Sequence, residues 1–231
     1  MPCSSGAAIA GHLRSSFLDG LATADVNVIL AAAKPRRLLA HSIVANQGSP
    51  ADCLFLLTEG RARFFFITED GIKRIGLRWL GPGDVFGTMA VSARQDSYLV
   101  STEMVRDGCV LTWNRETIKN LAGKFPRLWQ NALAVATDYL AFYAATRIAL
   151  TCSDARERLA YVLVTLERTI GDKDPGGVAL HITNDELADV ANVTVFTVSR
   201  LLSEWQRQGA IAKSRGKILL RSSERLLKAV S

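Results

Sequence analysis

The sequence predicts an α+β fold in three parts: an N-terminal β jelly-roll, a long helix, and a C-terminal winged helix-turn-helix. Short runs of β-branched and aromatic residues, separated by glycines, fill the first half. A stretch without glycine follows, in which apolar residues recur at heptad spacing. The final segment contains two short amphipathic patterns and then a hairpin pattern. We place the three parts at residues 1–122, which also include N-terminal helices, 123–152 and 153–231.

Composition limits the class of protein. With 231 residues, 48% of them hydrophobic, the chain can bury a core and is long enough for two domains. No apolar run approaches the length of about 18 residues that spans a membrane, and the N-terminus lacks a basic region followed by an apolar signal core. We therefore expect a cytoplasmic protein without a membrane partner. The net charge of +6 fits a nucleic-acid partner.

The four cysteines are dispersed along the chain and form no CxxC pair. They lie at positions 3, 53, 109 and 152. A disulfide framework or a zinc or iron–sulfur site usually announces itself through short cysteine spacings. We therefore expect neither, and we expect most of these thiols to be reduced.

The first half reads as a succession of short strands from about residue 37 to residue 113. The runs are LFLL (54–57), ARFFFIT (62–68), IKRIGLRWL (72–80) and CVLTW (109–113), with glycines at 48, 60, 71, 81, 83 and 87. This pattern predicts a sandwich or jelly-roll barrel, with a hairpin turn at 69–71. Jelly-roll barrels also include metalloenzymes, but those need two or three histidines and a carboxylate at one metal. The barrel region contains only His41, so we expect no metal site, no catalytic residues and no enzyme.

The long helix carries two apolar faces. One is a heptad seam with 4,3 spacing, formed by Trp129, Leu133, Ala136, Leu140, Tyr143, Arg147 and Leu150. The other contains Leu128, Ala132, Val135, Tyr139, Phe142 and Ala149. One face can pack on the barrel and the other on a second copy of the chain, which predicts a homodimer; a central helix buried within a monomer is the alternative. The segment Cys152-Ser153-Asp154 ends this helix as a hinge, and Ser153 or Asp154 caps a further helix over 155–170.

Two amphipathic helices follow, joined by a short turn. Thr183 and Glu186 have the spacing of a capping box, so a helix begins there. After the turn at Asn192, Thr194 is the expected N-cap of a second helix, which Gly209 ends. The buried side of this second helix is apolar at Val198, Leu201, Leu202 and Trp205. Two helices in this arrangement predict a helix-turn-helix, although an ordinary helical hairpin remains the alternative.

The opposite side of the second helix suits the edges of DNA bases and phosphates. In a helix-turn-helix the second helix enters the major groove. Hydroxyl and guanidinium groups lie on this face, with one aromatic ring. The expected contacts are Thr194, Phe196, Thr197, Ser199, Arg200, Ser203 and Arg207.

A predicted hairpin after Gly209 forms a wing. The run AIAKSRGKILL places Lys213, Arg215 and Lys217 near its tip. From Arg200 to the end, eight Lys or Arg face two Glu, whereas residues 151–199 hold four Lys or Arg against eight Asp or Glu. Positive charge is therefore concentrated where the second helix and the wing would meet phosphates, which predicts double-stranded DNA as the partner.

The segment 41–87, which ends in GPGDVFG at 81–87, resembles the cyclic-nucleotide-binding domain of the CRP/FNR family of transcription regulators. The resemblance continues through the long helix into the winged helix-turn-helix and covers nearly the whole chain. It implies a homodimer in which an effector domain sets the geometry of two DNA-reading helices on a near-palindromic operator, with RNA polymerase as a further partner. The alternative is a ligand-sensing regulatory subunit that acts on a protein.

The chain departs from family members that bind cyclic AMP. Those members follow the glycine-rich run with a Glu for the ribose and an Arg-Ser or Arg-Thr pair for the phosphate. Here Thr88 follows Gly87, and Arg94 stands beside Asp96, so we expect a different effector. An effector pocket would draw on Phe86, Gly87, Thr88, Arg94, Ser97, Tyr98 and Tyr143. Iron–sulfur and haem signatures are also missing from the sequence, which leaves the cofactor unknown.

The predicted recognition helix departs from the family at one position. Members that read a G·C pair commonly carry Glu where this chain has Phe196, whereas Ser199 and Arg200 match the family's Ser-Arg pair. We expect Arg200 to contact a guanine through two hydrogen bonds and Phe196 to pack on a thymine methyl group. The half-site should therefore differ from the common one.

Overall fold

The computed structural model describes Cys3 and residues 13–68, 74–92, 97–214 and 216–228. The chain divides into two units, one formed by residues 1–74 and 80–141 and the other by residues 75–79 and 142–231. Mixed helices and sheets in the predicted order confirm the α+β class. The hairpin turn predicted at 69–71 lies outside the described residues.

The first sheet is built from six strands. They are β1 Lys34–Leu38, β2 Ile43–Ala45, β3 Cys53–Ile67, β4 Arg74–Leu80, β5 Val85–Phe86 and β6 Ser101–Asn114. The strand order is β1-β6-β3-β4, while β2 also pairs with β6 and β5 with β3. Helix α1 (Thr23–Ala31) precedes the sheet, and α2 (Arg115–Lys124) follows it. The antiparallel pair β3 and β6 forms the centre, with Leu54 opposite Trp113 and Leu56 opposite Leu111.

Strand β3 joins two runs that the sequence presents separately. LFLL and all of ARFFFIT except its final Thr68 lie on one strand of 15 residues, and the register against β6 shifts between Leu57 and Ala62. Gly60 lies at this irregularity with a φ of 85°. A Cβ there would lie 2.6 Å from the carbonyl oxygen of Asp107, so only glycine fits. The glycine bends a long strand, and the expectation of two short strands is wrong here.

The core of the first unit lies between the sheet and the helices that flank it. Phe17, Leu54 and Trp113 are buried there together with Leu128 and Ala132 of the long helix. The last two belong to the second apolar face of this helix, and the expectation that one of its two faces packs on the barrel is confirmed for them. This contact is also polar, because the Asn131 side chain donates to the carbonyl oxygens of Phe17 and Asp19, at 2.9 Å each.

Cys3 and Cys109 form a disulfide. Their Cα atoms lie 5.8 Å apart although 106 positions separate them in the sequence. The expectation that the cysteines carry no disulfide is wrong for this pair, because the pairing depends on where β6 places Cys109 and no local spacing signals it. Cys53 and Cys152 are free thiols. Burial is the main cause that raises the pKa of Cys53.

Two successive helices connect the first sheet to the second. Helix α3 (Pro126–Cys152) lies in the first unit up to Ala141, and α4 (Ala155–Ile170) lies in the second unit. The carboxylate of Asp154 accepts hydrogen bonds from the amides of Arg156 and Glu157, both at 2.8 Å, and Glu157 completes the capping box. The predicted break at 152–154 is therefore confirmed, with Asp154 as the cap.

The second unit contains a four-stranded sheet, and two of its helices lie between the strands in sequence order. The strands are β7 Asp172–Asp174, β8 Gly177–Leu180, β9 Ile211–Ser214 and β10 Lys217–Leu220, in the order β7-β8-β10-β9. Between β8 and β9 lie α5 (Asn184–Ala191) and α6 (Val195–Arg207), and α7 (Ser223–Lys228) ends the described chain. Strands β9 and β10 form the predicted wing, with Lys217 opposite Ser214.

Candidate nucleic-acid interface

Helix α5 begins at the capping box that the sequence predicts. The Thr183 hydroxyl accepts from the amide of Glu186 at 3.2 Å, and the Glu186 carboxylate accepts from the amide of Thr183 at 2.9 Å. The helix ends at Asn192, whose φ of 50° reverses the chain. Asn tolerates this left-handed conformation, and residues 192–194 connect α5 to α6.

Helix α6 is fixed by its apolar side. The Thr194 hydroxyl caps it by accepting from the amide of Thr197 at 3.1 Å. The predicted buried side chains, Val198, Leu201, Leu202 and Trp205, are at most 1% exposed. The helix ends before Gly209, which has a φ of 73°. The predicted cap, apolar side and stop are all confirmed.

The opposite side of α6 faces solvent. Phe196 is 78% exposed, and Val195 beside it is 41% exposed. Arg200 is exposed on the same side and forms no hydrogen bond or ion pair with any residue that the structure describes. Ser203 and Arg207 are also exposed, whereas Thr197 and Ser199 are partly covered. Apolar and guanidinium groups therefore stand together on the first turns of α6, where a major groove would receive them.

One of the three cations predicted for the wing is already paired with a carboxylate. The Lys217 ammonium donates to the Asp174 carboxylate at 2.9 Å, so this lysine is paired within the sheet. That hydrogen bond is the main cause that lowers the pKa of Asp174. Lys213 is partly exposed and lines a groove with Thr183, Asn184 and Gln206. Arg215, the third expected cation, lies outside the described residues.

Two arginines of α4, which the sequence analysis does not single out, contact the helix-turn-helix. Arg158 donates to the carbonyl oxygens of Ala191 and Asn192, at 3.0 and 3.3 Å, and to that of Ser153 at 2.7 Å. It therefore holds the turn between α5 and α6 against the start of α4. Arg156 forms an ion pair with Glu204 of α6 at 2.7 Å. No local pattern signals either contact, because the partners lie far apart in the sequence.

The expected effector residues of the first unit lie in an aromatic cluster. Phe86 stacks on Phe55 with ring centroids 5.0 Å apart, and the Tyr98 ring lies 6.4 Å from that of Phe55. The Tyr98 hydroxyl donates to the carbonyl oxygen of Cys53 at 2.9 Å and accepts from its amide at 3.0 Å. Gly87, with a φ of 75°, leaves no room for a Cβ, which would lie 2.6 Å from the same carbonyl oxygen. Burial is the main cause that raises the pKa of Tyr98 to about 12.

The remaining effector candidates are Thr88, Arg94, Ser97 and Tyr143. Thr88 and Ser97 are partly exposed, and Arg94 lies outside the described residues. Tyr143 belongs to the second unit, where burial is the main cause that raises its pKa to about 12. Within the described ranges, no three His, Cys, Asp or Glu side chains come together in a way that could hold a metal.

The heptad seam of α3 is largely uncovered in a single chain. Trp129, Leu133 and Leu140 are 46%, 59% and 69% exposed. Ala136 and Arg147 are exposed as well, while Tyr143 and Leu150 are partly covered. By length and composition α3 could also cross a membrane, since its most apolar 18-residue window has a mean hydropathy of 1.2 and only 6% of that window is buried.

A β-sheet domain joined by a long helix to a winged helix-turn-helix is the architecture of a DNA-binding transcription regulator. Two family models match the two ends of the chain. Residues 35–125 match the cyclic nucleotide-binding domain, and residues 157–229 match the Crp-like helix-turn-helix domain.

Whole-chain relatives agree with the family models. The cyclic AMP receptor protein of Thermus thermophilus is 28% identical over 209 residues, which cover 90% of this chain and 94% of the relative. The fumarate and nitrate reduction regulatory protein of Salmonella typhimurium is 28% identical over 184 residues, or 78% and 71% of the two chains. The solved structure of FixK2 from Bradyrhizobium japonicum has a similar fold, with a TM-score of 0.76 and 24% identity over 86% of this chain and 98% of that one. The chain belongs to the CRP/FNR family and is a DNA-binding transcription regulator of that type.

Proposed function

We propose that this regulator binds a near-palindromic operator as a cytoplasmic homodimer and reads each half-site with the exposed side of α6. The exposed side chain of Arg200, which forms no hydrogen bond or ion pair with a described residue, is the observation that carries this proposal. An arginine in the major groove can donate two hydrogen bonds to one guanine, which discriminates against other bases by about 1–3 kcal/mol.

We propose that Phe196 makes the half-site sequence differ from the one that the family commonly reads. Its ring is 78% exposed at the first turn of α6 and cannot accept a hydrogen bond from a cytosine amino group. An apolar ring can instead pack on the methyl group of a thymine. We assign phosphate contacts to hydroxyls and cations of α6 and of the wing segment: Thr194, Thr197, Ser199, Ser203, Arg207, Lys213, Arg215 and Lys217. Lys217 contributes less than Lys213, since Asp174 already holds it.

The exposed seam of α3 is the dimer interface. Leu133 and Leu140 lie one heptad apart and are more than half exposed in a single chain. Pairing two such helices in a coiled coil buries both seams and places two recognition helices symmetrically, as a near-palindromic site requires. We assign the apolar face to a partner helix and not to a membrane, because the helix also carries Asp138 and Arg147.

We propose that the effector domain controls the geometry of the recognition helices and responds to a ligand other than cyclic AMP. The relative from Thermus thermophilus is named for cyclic AMP. The described residues around Gly87 do not fit that nucleotide, because residues 85–92 contain no carboxylate for the ribose. The Tyr98 hydroxyl, moreover, already donates a hydrogen bond to the backbone carbonyl oxygen of Cys53. RNA polymerase is the further protein partner, through which DNA binding changes transcription.

Two other functions have less support. A ligand-sensing subunit that acts on a protein would not need the positive charge that is concentrated after Arg200. A jelly-roll metalloenzyme would need several histidines in the barrel, where the sequence offers His41. We therefore propose no enzymatic activity for this chain.

The experiment is an operator selection from random DNA, followed by affinity measurements on the selected and on random duplexes at one fixed salt concentration. We expect Arg200→Ala to lower affinity for the selected operator and to leave random DNA nearly unchanged. Phe196→Ala should relax selection at one thymine position. Equal losses on both kinds of DNA for Arg200→Ala would refute the base contact, and failure of any duplex to be selected would favour a protein partner.

A further inference from the structure

Glu204 is the carboxylate nearest in sequence to the proposed base-reading arginine on α6. It stands four residues after Arg200 and three before Arg207, and residues at these spacings are neighbours on a helix surface. The hydrogen bond from Arg156 is the main cause that lowers the pKa of Glu204, and the charges of Arg200 and Arg207 lower it further. A carboxylate in this position could hold the guanidinium of Arg200 in an ion pair within the helix.

Arg156 occupies that carboxylate. Its guanidinium donates to Oε1 of Glu204 at 2.7 Å, and the two side chains are only 25% and 27% exposed. The same guanidinium lies over the ring of the buried Trp205, 5.8 Å from its centroid. Arg156 itself is held in the first turn of α4, where the Asp154 cap accepts from its backbone amide. The pair therefore joins the start of α4 to the last turn of α6 within one unit of the chain.

We propose that Arg156 is a positioning residue for DNA recognition, which holds Glu204 away from Arg200 and so keeps Arg200 available to the operator. This inference rests on the proposed role of Arg200. Without Arg156, Glu204 would be free to pair with Arg200, and its charge would also oppose the phosphates of bound DNA. The residue acts through Glu204 and does not itself touch a base.

The proposal predicts a loss that a second substitution repairs. Arg156→Met removes the charge and keeps an apolar chain over Trp205. We expect it to lower the ratio of operator affinity to random-DNA affinity about two- to fivefold. An ion pair between residues four positions apart on a helix competes only weakly with a base contact, but the dimer makes that contact in both half-sites. The double variant Arg156→Met, Glu204→Gln should regain the wild-type ratio, since the amide cannot form the ion pair. Glu204→Gln alone should leave the ratio at or above the wild-type value.

Arg168→Met is the matched control, because Arg168 is exposed in the last turn of the same helix and its loss removes the same charge. Fluorescence anisotropy with the full-length protein gives both affinities, and thermal unfolding follows each variant's stability. An unchanged ratio in Arg156→Met, or a loss that persists in the double variant, overturns the proposal. If Arg200→Ala lowers the ratio in the same assay, the proposed function survives that result. If Arg200→Ala has no effect, the base contact fails and this inference falls with it.

Discussion

Leu140 offers a direct test of the proposed dimer interface. Its side chain is 69% exposed in a single chain, so a partner helix could remove most of it from water. Full burial of a leucine side chain stabilises by about 1.5–3 kcal/mol, which scales to roughly 1–2 kcal/mol for the exposed part. A two-fold dimer contains the side chain twice. Leu140→Ala should therefore weaken dimerisation by about 2–4 kcal/mol, or roughly 30- to 900-fold in the dissociation constant.

Analytical ultracentrifugation over a wide concentration range measures this constant. Leu39→Ala is the matched control, because Leu39 is 62% exposed but lies directly after β1 and not on the seam. Its dimer should be unchanged. Monomer stability should change little in either variant, since both side chains already face solvent. Equal dimer constants for wild type and Leu140→Ala, or equal losses in both variants, would refute the assignment of the seam.

Three further predictions concern the disulfide, the helix cap and the wing. Cys3→Ser opens a loop of 106 positions and should lower the free energy of unfolding by about 2–4 kcal/mol in a denaturant titration without reductant. Cys152→Ser should leave this free energy unchanged. If a dithiol does not lower the stability of the wild type, the prediction is wrong. Thr183→Ala removes the capping box and should lower the free energy of unfolding by about 1 kcal/mol in the same titration. Thr183→Ser keeps the hydroxyl and should retain most of the stability. Equal free energies for the two variants would show that the cap contributes nothing. Lys213→Ala should weaken binding to all DNA alike and reduce the salt dependence of the affinity by about two phosphate contacts, one in each half-site of the dimer. A loss confined to the operator would argue against a phosphate contact.

Predictions that depended on neighbours along the chain held well. The predicted capping box at Thr183 and the predicted cap at Asp154 each involve residues three positions apart. The apolar side of α6 repeats every three or four residues, so the helix period itself marks Val198, Leu201 and Trp205 as buried. The barrel-facing side of α3 followed from the same periodicity. Helix caps and buried helix faces depend on residues within a few positions of one another, so sequence patterns predict them.

Contacts between distant residues were missed for the opposite reason. The ion pair of Lys217 with Asp174 joins positions 43 apart, and that of Arg156 with Glu204 joins positions 48 apart. Charge counting placed Lys217 among the free cations of the wing because composition does not reveal a partner across a sheet. The length of β3 was also missed, since Gly60 reads as a strand end until β6 is seen to continue past it.

The sequence by itself determined the α+β class, the long helix with its exposed seam, and a recognition helix that presents Phe196 and Arg200 to solvent. Periodicity, caps and charge distribution suffice for these features because each involves residues within a few positions of one another. Only the tertiary structure decided which charges are already neutralised and which cysteines meet. Those depend on distances that chain folding creates between remote segments, as when α4 brings Arg156 to Glu204.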